Sequence, residues 1–111
     1  MSNGIFEVEF QSNRPDSGGG LVVVKDGSVN GGDANYLYQG NVPTTSGKFS
    51  EQFKVTMWKP GVINVTGHPN YILDATGEMD YEKGTVSLTG TVVGDSRMQV
   101  QLQGNKIADA F

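Results

Sequence analysis

Gly31-Gly32-Asp33-Ala34-Asn35-Tyr36-Leu37-Tyr38-Gln39-Gly40 is the stretch from which the fold is read. Two adjacent glycines allow positive φ or a tight bend, and an aspartate just after them can accept hydrogen bonds from its own downstream amides and fix that bend. A strand is expected next. Tyr36, Tyr38 and Gly40 alternate with Leu37 and Gln39, which puts both tyrosine rings on one face of a pleated segment. Bulky aromatics in a small β-structure fill its interior or sit on an interface, so Tyr36, Tyr38 and Trp58 are expected in core or dimer packing rather than around a ligand.

Upstream of this stretch, Lys25-Asp26-Gly27-Ser28 lies between strand-like runs, and Asp-Gly suits the positive-φ geometry of a two-residue hairpin loop. The run before it, Leu21-Val22-Val23-Val24, is apolar on both faces and is expected to be covered on both. Residues 4–11 form a first strand with Phe6, Val8 and Phe10 inward and Ile5, Glu7 and Glu9 outward. Residues 13–20, rich in glycine and holding Pro15, read as a loop.

Downstream, residues 41–47 are a polar connection into the longest alternating run, residues 48–58. There Phe49, Phe53, Val55 and Met57 share one side with Glu51, which is out of place among them and is expected near a rim. Lys59-Pro60-Gly61 ends the run, and residues 62–69 read as a loop or short irregular strand. Three further strands are expected over residues 71–81, 85–93 and 97–103, the last alternating Met98, Val100 and Leu102 with Gln99, Gln101 and Gln103.

About eight strands at short, even spacing, with no confident helix, describe a meander. The expected architecture is a single all-β domain over residues 1–111, an up-and-down antiparallel barrel of about eight strands resembling the lipocalins in shape. An open twisted sheet or a sandwich is the alternative. Such a barrel is filled by side chains or holds one small ligand, and Phe53, Val55, Met57 and Val100 are the interior positions that would line a ligand.

Composition narrows the functional classes. The chain has 111 residues, 16 of them glycine, and no cysteine, so disulfides, thiolate nucleophiles and thiolate metal sites are excluded. Its net charge of -4, with eight scattered basic residues, argues against nucleic-acid binding, which needs a basic stripe. No apolar run is long enough for a membrane span and no signal segment is recognisable at Met1, so a soluble cytoplasmic protein is expected.

Chemistry-bearing patterns are sparse. Residues 26–31 copy the first half of a calcium loop, but the twelfth position is Leu37 where a bidentate glutamate is required, so a hairpin turn is the better reading. His68, the sole histidine, sits between Gly67 and Pro69 without an orienting partner in sequence and reads as an exposed loop residue. Glu7 and Glu9 read as a solvated strand face rather than a carboxylate pair, and Gly18-Gly19-Gly20 lacks the spacing and following helix of a phosphate loop. Asn64-Val65-Thr66 matches a glycosylation acceptor by chance. With no nucleophile elbow either, no enzymatic activity and no cofactor or metal are expected.

Asn3-Gly4-Ile5-Phe6, Phe10-Gln11-Ser12-Asn13, Lys25-Asp26-Gly27 and, above all, Gly31-Gly32-Asp33 followed by Tyr38-Gln39-Gly40 resemble the GrlR family, small bacterial proteins named for a negative regulator of type III secretion. The resemblance covers the first forty or so residues and continues as a matching strand pattern. It implies a lipocalin-like barrel that forms a homodimer through apolar outer surfaces and sequesters a transcriptional activator. Tyr36 falls within the same motif. One departure is clear. The family's named regulator contacts its activator through an acidic run just after the tyrosine strand, whereas Val42-Pro43-Thr44-Thr45-Ser46-Gly47-Lys48 contains no carboxylate. The implied function is therefore protein interaction with a partner not fixed by that run, and carriage of an apolar small molecule is the competing expectation.

Overall fold

The computed structural model describes residues 3–12, 17–59 and 70–111. Among them eight strands follow one another: β1 (Gly4–Ser12), β2 (Ser17–Lys25), β3 (Ser28–Gly32), β4 (Tyr36–Asn41), β5 (Gly47–Met57), β6 (Asn70–Asp80), β7 (Thr85–Val92) and β8 (Asp95–Ala108). Each pairs antiparallel with the next, and β1 pairs with β8 to close a barrel. The expected up-and-down barrel is thus the architecture observed, without helices among the described residues.

Period-two alternation decides which side chains go inside. In β1, Phe6 and Val8 are 1% exposed while Glu7 and Glu9 face solvent, and in β8 Val100 is buried between exposed Gln99 and Gln101. Tyr36, Phe6, Met79 and Val8 are the largest fully buried side chains. The Asp26–Gly27 turn has φ of 52° and 82° at its two central residues, as a two-residue hairpin loop of this sequence requires.

Several expectations change. Gly18-Gly19-Gly20 is strand rather than loop, pairing with Phe10, Glu9 and Val8 of β1. The physical reason is space: a Cβ on Gly18 would lie 2.8 Å from the Phe10 ring, and one on Gly20 2.6 Å from the Gly32 carbonyl oxygen. Gly31 and Gly32 likewise end β3 instead of bending the chain, and the turn itself falls on residues 33–35. Close approach is what these glycines permit, since a Cβ on Gly32 would meet the Tyr36 carbonyl oxygen at 2.2 Å. β8 runs five residues beyond its expected end, through Gly104, which packs where Val8 and Val86 leave no room for a side chain.

Leu21 and Val23 were expected to be covered on both faces of their strand, but they point outward at 50% and 38% exposure. A closed single-layer barrel has only one interior, so a strand apolar on both sides necessarily leaves one set in solvent. Glu51 is exposed midway along β5, on the stretch that β4 does not reach, rather than at the end of the strand. The loop over residues 62–69, with His68 and the Asn64-Val65-Thr66 triplet, and residues 13–16 of the expected first loop lie outside the described residues.

Candidate functional site

The β3–β4 connection is organised by the carboxylate of Asp33. Its Oδ1 accepts the amides of Asn35 (2.9 Å) and Tyr36 (2.8 Å), the downstream bonds expected of an aspartate turn, and its Oδ2 accepts the Tyr38 hydroxyl. The Asp33 amide donates to the Tyr36 carbonyl at 3.0 Å and closes the turn. From 25 residues away, the Trp58 indole N–H donates to the Asp33 carbonyl (3.2 Å), while the Trp58 amide donates to the Asn35 carbonyl (2.8 Å). Asn35 Nδ2 completes the join by donating to the Lys59 carbonyl at 3.1 Å.

Tyr38 carries this network into the barrel. Its ring meets Phe10 edge-on, with centroids 5.5 Å apart. Burial, then the hydrogen bond to Asp33 and the charge of that carboxylate, hold the Tyr38 hydroxyl well above the ordinary tyrosine range. The phenol is therefore a neutral donor under ordinary conditions, and the Asp33 side chain already serves three donors. Geometry of this kind fixes a turn and a strand end; it does not present a free base or nucleophile. Gly40 completes the motif differently: a Cβ there would lie 2.3 Å from the Phe53 ring, so its bare backbone is where that ring rests.

Of the four interior candidates, Phe53, Val55 and Val100 are at most 8% exposed and line an apolar internal cavity together with Tyr38. Met57 is half-buried opposite Tyr36 and does not line it. The cavity volume is about 80 Å³. Sites for drug-sized ligands run to roughly 300–1,000 Å³, and a cavity of about 150 Å³ is what holds one benzene. Side chains fill most of this barrel.

Outside the barrel, apolar side chains meet on one face. Leu21 and Leu37 flank Gly32 in one cross-strand row, and Ile5 pairs with Val23 in the next. Leu37 is 41% exposed, and Gly32 between the two leucines has no side chain to separate them. Ile107, at 59%, stands in the bulge where β8 shifts register against Ile5 and Phe6. Trp58 is neither core nor ligand-lining; it is exposed where the chain leaves β5.

Sequence reasoning found the turn at Asp33 and the common face of Tyr36 and Tyr38. It missed the tie from Trp58 to Asp33, for which separation in sequence leaves no local signal, and it missed Ile107, whose place depends on a bulge. The outer apolar face was legible in part, because Leu21 and Val23 break the alternation of their strand. No family model matches the chain, and no curated protein matches it.

Proposed function

We propose that the protein is a non-enzymatic, GrlR-like regulatory protein of the bacterial cytoplasm that acts by protein–protein interaction as a homodimer, sequestering a transcriptional regulator, with type III secretion the process the resemblance points to. The observation that carries this reading is the outer face built by Leu21, Val23, Leu37, Ile5 and Ile107. Large apolar side chains grouped on one outer face, here beside the exposed Glu7 and Asn30, suit an interaction site, and the resemblance assigns that role to outer surfaces in the family. The small internal cavity supports interaction over carriage, since an apolar cargo would have to displace core side chains.

Native mass spectrometry of freshly purified protein tests both points in one spectrum. A dimer without added mass is expected, and Leu37→Glu, which places a charge on the β4 side of the apolar face at an exposed position, is expected to give a folded monomer. A wild-type monomer throughout the micromolar range would refute the dimer. A reproducible extra mass per chain would instead favour a carrier of small apolar molecules.

A further inference from the structure

The strand β5 outruns its neighbour. β4 pairs with it only through residues 36–39 against 54–57, whereas β6 accompanies it along residues 47–56. Gly40 and Asn41 continue β4 against Val29 and Ser28 of β3 without a partner on β5. The chain that would have completed the hairpin is led elsewhere. The Val42 amide donates to the Gly27 carbonyl (2.9 Å), the Tyr81 hydroxyl donates to the Pro43 carbonyl, and the Tyr81 amide donates to Ser46 Oγ (2.9 Å). Val42 is thereby drawn into the core.

In an antiparallel strand, successive residues direct their N–H and C=O groups to opposite sides. Along residues 48–52 one set therefore meets β6 and the other faces away from it, with no paired strand among the described residues. Glu51 marks the same gap: it has the inward parity of Phe49 and Phe53, which are buried, yet it is itself exposed.

An open strand edge selects its occupant chemically, because only another extended backbone offers donors and acceptors at the matching spacing. The flanking side chains add a register. Lys48 points outward at one end, Glu51 lies on the inner side three residues on, and Phe49 lies between them on that inner side. We propose that the β5 edge over residues 48–52 takes an extended segment of the partner protein as an added antiparallel strand. The segment has a basic residue opposite Glu51, an apolar one opposite Phe49 and a carboxylate opposite Lys48. In sequence this is basic, any, apolar, acidic. Sliding it by one residue sends each side chain to the wrong face, and sliding it by two leaves Glu51 without its counter-charge. A second copy of β5 fits this edge less well: a two-fold axis at Glu51 sets the two Glu51 carboxylates side by side and Lys48 against Lys54, and an axis at Ser50 sets Glu51 against Phe49. The assignment deepens the interaction reading and rests on it.

The test titrates the isotope-labelled full chain with the capped peptide Thr-Lys-Thr-Val-Glu, followed by amide NMR. Saturable shifts centred on residues 47–53 are expected, with weakening of at least about tenfold when the alternate peptide nitrogens that face β5 are methylated, because each loses a main-chain bond to the edge. The charge-exchanged protein K48E/E51K is expected to lose the original peptide and to prefer Thr-Glu-Thr-Val-Lys. Absence of saturable shifts, equal binding of the methylated peptide, or no reversal by the charge exchange would each overturn the proposal. Shifts confined to Leu21, Val23 and Leu37 would also overturn it while leaving interaction through the outer face standing. Dimerisation is read independently in the mass spectrum, so failure of the edge and failure of the wider reading give different results.

Discussion

At the scale of single residues, Asp33 and Tyr38 join turn, strand and core. Burial raises the Tyr38 pKa first, with Asp33 adding to it, so ionisation is resisted in the folded protein more than in the unfolded chain. The unfolded phenol loses its proton from about pH 10 upward, while the folded one retains it. Above that pH the folded state binds the additional proton, and stability must fall as pH rises, by up to about 1.4 kcal/mol per unit for one proton. Below pH 10 the contribution of this group is fully present. Urea unfolding between pH 9 and 11.5 is expected to show this slope, and Tyr38→Phe is expected to lower stability by about 1–3 kcal/mol at neutral pH while flattening the slope by about one proton. An unchanged slope in the variant would mean that the hydroxyl is free in solution. The Asp33 turn and the shared face of the two tyrosines were legible in sequence because an aspartate turn and a two-residue alternation are local, while the bond from Tyr38 to Asp33 was not. Gly18, Gly20, Gly32 and Gly40 were not, because what excludes a side chain there is an oxygen or a ring on another strand or across a turn.

At the scale of elements, the periodic strands were the readable part, and β1, β5 and β8 present the faces their alternation requires, apart from Glu51 in β5. Glycine obscured β2 and the end of β3, since it carries no hydrophobic pattern and yet pairs as well as any residue where backbones must come close. Pairing length was a second gap: alternation along residues 48–57 says nothing about whether β4 reaches all of them. Hydrogen exchange makes that difference measurable. Among the described residues, amides of residues 54–56 have strand neighbours on both sides, whereas those of residues 48–52 have β6 alone. Alternate amides in residues 48–52 are expected to exchange far faster than their immediate neighbours, giving a two-residue sawtooth that is absent from β6 and β7. Uniform protection along β5 would show the edge to be covered in the free protein.

At the scale of the whole molecule, closure through β1 and β8 removes most edges but offers a single interior, so the apolar residues left outside need another kind of cover. If a second copy supplies it, folding and assembly are linked and thermal stability depends on protein concentration. A tenfold rise in concentration favours a dimer by about 1.4 kcal/mol, and two chains of this length unfold together with an entropy of roughly 0.5 kcal/mol/K, so Tm should rise by about 3 °C per decade when dissociation and unfolding coincide. Calorimetry over two decades resolves such a shift. Leu37→Glu is expected to abolish the dependence and to leave the Tm near the wild-type value at the lowest concentration, because the exposed Leu37 contributes little to the barrel's own core. A wild-type Tm that stays fixed while the protein remains dimeric would mean that the dimer survives beyond unfolding of the barrel or contributes nothing to it. Either result would detach the outer face from the stability of the fold, and only the coupled result makes Leu21, Val23 and Leu37 a surface whose burial both pairs the chains and holds them folded.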